Sequence, residues 1–133
     1  MVLVLCMGDL HIPHRAAELP LKFRELLKPG KIHSILCCGN VCSSAYLDHL
    51  KTLSSELHVV KGDYDDFNAP EFLVLEISGF KVGLCHGHQA VPWGDIGAIS
   101  VIQRQLGVDV LIAGQTHQAA ALKVAGKFFY LNP

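Results

Sequence analysis

Five short strings in this 133-residue chain close an apolar run with a glycine and a side chain able to bind a metal. They read LCMGDLH (Asp9, His11), LCCGN (Asn40), VVKGD (Asp63), GLCHGH (His86, His88) and LIAGQTH (Gln115, His117). Carboxylates and imidazoles are ordinary ligands for first-row divalent ions. Asp9 and His11 stand two residues apart, so both can face one side at a strand's end. A single DxH or GQTH is a weak signal that a loop Asp beside a surface His would explain. Five such strings in order are harder to explain that way. If each run is a strand, its ligand sits at the carboxyl end, where open α/β folds build their sites. Two of the five strings carry a neutral amide, Asn40 and Gln115.

The elements that would position these residues follow from the apolar pattern. Val2–Met7, His33–Cys38 and Leu57–Val60 read as strands. Pro20–Leu27 reads as a short helix, opened by Pro20, given apolar contacts by Leu21, Phe23, Leu26 and Leu27, and stopped by Pro29-Gly30. Ser43 or Ser44 caps a second helix to about Leu53, with Tyr46, Leu47, Leu50 and Leu53 on one side. Ser78-Gly79 joins Phe72–Ile77 to Phe80–Cys85, and Ala125-Gly126 joins Ala119–Val124 to Lys127–Leu131, both as antiparallel hairpins. Between them lie a helix over Gly94–Leu106 and a strand over Val108–Ala113. The order is βαβαβ followed by ββαβββ, so parallel strands with right-handed crossovers come first. Residues 1–133 read as one domain, with no linker or internal repeat.

Half the residues are apolar and 17% are charged, which predicts a packed core and excludes disorder. A net charge of −1 gives no electrostatic case for nucleic acid or for anionic membrane. No apolar run approaches the roughly 20 residues of a membrane span, so direct membrane insertion is not expected. Met1–Met7 lacks the basic flank of a signal peptide. The five cysteines form no CxxC pair, and four lie in or beside apolar runs, so they read as buried thiols of a reducing compartment.

Taken in order, these strings resemble the calcineurin-like metallophosphoesterases, whose sequence of motifs is GDxH, GD, GNH, a single His and GHxH. The resemblance implies an α/β (α+β-like) layered fold of two mixed β-sheets flanked by helices. It also implies a two-metal site, with the ions roughly 3.5–4 Å apart. By position, Asp9, His11 and His117 would hold the first metal. Asn40 stands at the bridging Asp, Asp63 at the second-metal Asn, His86 at a second-metal His, and Gln115 at another. GDLHIPHR, LPLKFRELLKPGKI, YLDHLKTL and above all HGHQAVPWGD resemble the branch that forms the small subunit of retromer. That branch implies a cytoplasmic scaffold, peripheral on endosomes through its complex, in retrograde protein transport. Its pseudo-active face would dock on the α-solenoid retromer subunit. An opposite apolar patch, matched by Leu3, Leu26, Leu27 and Val91, would recruit Rab GTPase-activating or related regulators. The branch continues past the Asn-Pro pair at which this chain stops, so a carboxyl-terminally shortened fold is expected.

Three departures weaken catalysis. Asn40 offers one neutral oxygen where a bridge needs two anionic ones. Tyr64 occupies the place of the acid histidine, and general acids of that kind contribute roughly 10²–10⁴-fold. Gln115 replaces an imidazole. At most one weakly held divalent ion (Zn, Mn or Mg) is expected, with a second only at high metal concentration and phosphoesterase activity weak or absent. No catalytic residue is expected; in the alternative of an active phosphodiesterase, His86, Asp63 and Asn40 would serve. A metal-free adaptor is the third reading. His88 lies behind a ligand or faces a partner. His14, His33, His49 and His58 match no ligand position. Trp93 is either a core anchor or a partner contact, and Leu26 and Leu27 either core or patch.

Overall fold

Each apolar run becomes a strand in the computed structural model, which describes residues 3–12, 15, 18–27, 30–54, 56–65 and 67–133. The elements are β1 (Val4–Met7), α1 (Leu21–Arg24), β2 (Ser34–Cys37), α2 (Ser44–Lys51), β3 (Leu57–Val59), β4 (Phe72–Ile77), β5 (Phe80–Cys85), α3 (Ile96–Leu106), β6 (Val110–Ala113), β7 (Ala120–Val124) and β8 (Phe128–Asn132). This is the order expected from the pattern: β4 and β5 keep their expected ends, β8 lies one residue later than expected, and the other strands are shorter by one or two residues. Val2, His14 and Pro29 lie outside the described residues.

Strands β1, β2 and β3 form one sheet that is parallel throughout. The second sheet is mixed and runs β4-β5-β6-β8-β7. Its two hairpins lie at the edges, and β5–β6 and β6–β8 pair in parallel. Side chains of a strand alternate between faces, and that alternation builds the layers. Ile35 and Cys37 of β2 face Leu47, Leu50 and Leu53 on and beside α2. Leu36 and Cys38 face the other way and meet Val82, Leu84 and Ile112 of the second sheet. On its far side that sheet presents Leu111, Ala113, Phe128 and Tyr130 to Ile99 and Ile102 of α3. The result is helix, sheet, sheet, helix, with the inner strands apolar on both faces as parallel strands are. No disulfide forms; Cys37, Cys38, Cys42 and Cys85 are buried and Cys6 is half-buried.

Both hairpin turns hold two residues of positive φ, Ser78 and Gly79 at 51° and 83° and Ala125 and Gly126 at 50° and 66°. That is the type I′ geometry whose twist matches paired strands. Helix α3 is bounded chemically. The Asp95 carboxylate accepts the Ala98 N–H at 2.9 Å, and Gly107 closes the other end with φ 66°. Asp95→Ala should therefore lower stability by about 1 kcal/mol, read as a lower urea midpoint at constant slope. An unchanged midpoint would count against the cap.

Two helices differ from expectation. α1 spans only Leu21–Arg24 and buries none of its residues. Leu21, Phe23 and Leu26 are exposed, because one turn of helix has no second turn to share a face with the sheet. α2 begins after Ser43, whose side chain makes no capping bond.

Candidate functional site

The loops that follow β1, β2, β3, β5 and β6 meet at one point. The Asp9 N–H donates to the Gly39 carbonyl at 3.0 Å, Gly114 N–H donates to the His86 carbonyl at 2.7 Å, and Gln115 N–H donates to Asp9 Oδ2 at 2.8 Å. Among the described residues eight non-glycines have positive φ. Two are in the hairpin turns; the other six are Asp9, His11, Asn40, Cys42, Gln115 and His117. Left-handed backbone costs roughly 1–2 kcal/mol at such residues, and strain of this kind collects at functional sites. Four of the six, His11, Asn40, Gln115 and His117, border one cleft. Glycine is required where these loops touch: a β-carbon on Gly39 would lie 2.6 Å from Gly62 N, and one on Gly62 would overlap the Asn40 side chain.

A residue that the sequence reading passed over holds two loops in register. Asp65 Oδ2 accepts the N–H groups of Asn40 (2.8 Å) and Gly62 (2.7 Å), and Oδ1 accepts that of Cys42 (2.8 Å). The second Asp of GDYD was the available signal. A carboxylate suits this task because it accepts several backbone donors at once.

Asp9, His11 and His117 offer ligand atoms within 4.8 Å of one another. His11 Nε2 and His117 Nε2 lie 3.8 and 3.6 Å from Asp9 Oδ1, and the two rings stack at 5.3 Å. His11 Nε2 is buried without a hydrogen-bond partner. On its other side, His11 Nδ1 faces the Cys42 sulfur at 3.5 Å, while the Cys42 thiol points to the Asn40 carbonyl at 3.7 Å. Nδ1 is thus engaged by Cys42, and Nε2 is the ring nitrogen on the side of Asp9. Burial and then the Arg15 guanidinium push His11 below its ordinary value, which keeps the ring neutral. Burial pushes the Asp9 carboxyl up, but hydrogen bonds from His86 and the Gln115 backbone outweigh it and hold the group below its usual range. A carboxylate between two imidazoles, one with an unpartnered buried nitrogen, fits a divalent ion.

The other half of the site is arranged differently. Asn40 is 1% exposed, and its amide faces Asp63 and Asp9. His86 is fully buried, with Nε2 3.0 Å from Asp9 Oδ1 and Nδ1 3.0 Å from His88 Nδ1. Asp63 Oδ1 lies 3.8 Å from His86 Nδ1. Gln115 reaches Asp9 through its backbone, and its side-chain oxygen is buried without a partner. The Tyr64 ring packs edge-on against His11 at 5.9 Å.

Above these groups opens a cleft of about 410 Å³, bordered by His11, Asn40, Asp63, Gln115 and His117 and at its mouth by Arg15, Tyr64 and Trp93. Trp93 is 59% exposed, so it is a rim residue and no core anchor. Arg15, unassigned in the sequence reading, brings a guanidinium to this lining. Leu26 is 69% exposed and lines a separate apolar groove with Leu27, Leu10, Leu19 and Phe23. Leu3 is exposed at the start of β1. Val91 borders a different cavity, beside Phe72 and Val101. His33 accepts the Leu3 N–H through Nδ1 at 2.9 Å, away from the site.

Known proteins share both sequence and architecture. The calcineurin-like phosphoesterase superfamily domain matches residues 2–133. Vacuolar protein sorting-associated protein 29 of Schizosaccharomyces pombe is 43% identical over 133 residues, 99% of this chain and 71% of that protein. The structure of vacuolar protein sorting 29 from Cryptosporidium parvum is 44% identical with a TM-score of 0.94, covering 99% of this chain and 73% of that one. The Entamoeba histolytica protein of the same name, solved in complex with zinc, is 49% identical with a TM-score of 0.89, covering 98% of this chain and 72% of that one.

Proposed function

The chain belongs to the vacuolar protein sorting-associated protein 29 family of the calcineurin-like phosphoesterase superfamily, and on that premise we propose that it is a scaffold subunit of retromer which docks through its cleft face and does not catalyse. The partner is the α-solenoid subunit, vacuolar protein sorting-associated protein 35, and the setting is retrograde transport from endosomes, where the complex keeps the protein peripheral on the membrane. Among the described residues no helix is long and apolar enough to cross a bilayer.

The observation that carries this reading is the cleft's rim. Trp93 and Tyr64 stay 59% and 65% exposed at its mouth, and exposed aromatics are the commonest anchors of protein interfaces. Tyr64 also stands where a phosphoesterase acid would act, and it offers a phenol hydroxyl there in place of an imidazole. Asp9, His11 and His117 would hold one divalent ion, whose charge would tie the three side chains together on the cleft floor. Exposed Leu26 and its groove suit a second, apolar contact with regulators of the complex.

The test is a pull-down and calorimetric titration with the carboxyl-terminal half of the α-solenoid subunit. Saturable binding is expected, and its absence in a folded sample overturns the reading. Active phosphodiesterase is the second reading, favoured by the Asp9–His11–His117 cluster. A chromogenic phosphodiester in millimolar Mn²⁺ decides it. Equal rates for wild type, Asp9→Ala and His86→Ala would exclude metal catalysis.

A further inference from the structure

Tyr64 projects at the cleft mouth with little around its ring. It is 65% exposed, and it meets His11 edge-on at 5.9 Å. An aromatic side chain anchors a partner cheaply when its place is fixed before binding. Here the backbone of the loop after β3 must do the fixing. The Tyr64 N–H donates to Asn40 Oδ1 at 3.0 Å, and the Lys61 N–H donates to the Pro70 carbonyl at 2.9 Å. Next to Tyr64, the Asp65 carboxylate turns back onto the chain and accepts the N–H groups of Asn40, Gly62 and Cys42. Asp65 is half-buried and does not border the cleft.

The donors explain why a carboxylate stands there. Asn40 and Cys42 have left-handed backbone, with φ 52° and 75°, and Gly39 before them has φ 94°. Such a turn presents the Asn40 and Cys42 N–H groups as a concavity of the kind that binds anions. Asp65 fills it from the neighbouring loop with charge-assisted bonds, which are stronger than neutral ones. Left-handed residues other than glycine persist only where their surroundings hold them. Gly62 lies so near Asn40 that a β-carbon there would overlap its side chain, so the two loops are in direct contact.

We propose that Asp65 is a positioning residue of the docking face: its carboxylate ties the Tyr64 loop to the loop after β2 and so fixes where the Tyr64 ring meets the partner. Asp65 acts through Tyr64 and touches no partner group. The proposal rests on the reading that the cleft face docks the α-solenoid subunit.

The experiment is a double-mutant cycle, read as calorimetric affinity for the carboxyl-terminal half of the α-solenoid subunit. Tyr64→Ala and Asp65→Ala should each weaken binding about tenfold. The double variant should be no more than about threefold weaker than either, because residues that act as a unit are not additive. An additive double variant, weaker by about 100-fold, overturns the role of Asp65, as does an Asp65→Ala affinity equal to wild type. Asp65→Asn covers the case in which Asp65→Ala does not fold. Its oxygen can keep the Asn40 and Gly62 donors while its NH₂ group meets the Cys42 N–H. Binding should then weaken about threefold, and the loss should vanish in a Tyr64→Ala background; a loss that persists there overturns the proposal. A wild type that does not bind overturns the docking reading instead. The clamp is tested separately in the free wild-type chain by amide hydrogen exchange. The Asn40, Cys42 and Gly62 N–H groups should exchange at least about tenfold more slowly than exposed loop amides, and exchange as fast as theirs overturns the role of Asp65.

Discussion

Replacing Asp9 with alanine lowers folding stability by about 3–5 kcal/mol, the sum expected when two or three buried donors lose their acceptor at roughly 1–3 kcal/mol each. The carboxylate is 10% exposed and receives His86 Nε2, Gln115 N–H and Asn40 Nδ2. Asn40 Nδ2 keeps Asp63 Oδ1 at 2.9 Å, so His86 Nε2 and the Gln115 N–H are the donors most exposed to the loss. The same substitution removes the ligand shared by both imidazoles. Mn²⁺ affinity should therefore fall by more than the roughly 10- to 100-fold typical of an outer partner. Urea denaturation and calorimetry measure the two effects, and a stability loss under about 1 kcal/mol would refute the hub role. The pH dependence has a fixed sign. The folded-state carboxyl lies below its ordinary 3.8, so its stabilisation is full above that pH and is lost as pH falls through the folded value. The wild-type and variant stabilities should converge in acid.

Replacing Trp93 with alanine weakens binding of the α-solenoid subunit by about 30-fold or more, the 2 kcal/mol of an interface hot spot. Its indole is 59% exposed beside Arg15 and Tyr64 at the cleft mouth, so the free protein should unfold near the wild-type temperature. Affinity and thermal midpoint measured on the same sample separate docking from folding. Affinity within threefold of wild type would place the interface elsewhere.

The strands were legible because their signal is local. An apolar run bounded by Gly-Asp, Gly-Asn or a Ser-Gly turn needs no distant information, and β4 and β5 begin and end where the residues say. Helix α1 was misjudged for the complementary reason. Leu21, Phe23, Leu26 and Leu27 have the composition of a buried face, but burial depends on what is packed opposite, and the first three remain exposed. Trp93 was ambiguous on the same ground. Asp65 was missed because a carboxylate that accepts backbone N–H groups carries no side-chain pattern; its three donors belong to residues 40, 42 and 62.

The site divides along the same line. Asp9, His11, Asn40, Asp63, His86, Gln115 and His117 were readable from the chain alone, since each follows a strand and a strand's end is a local property. So was the bonding capacity of Asn40, because an amide has one neutral oxygen and one NH₂ group whatever surrounds it. Which atom of that amide faces the carboxylates was decided only by tertiary structure. Asn40 meets Asp9 across 31 residues, Asp63 across 23 and the Tyr64 N–H across 24. His86 finds Asp9 across 77. A side chain's identity sets what it can donate or accept, and only the partners that folding brings together choose between the two.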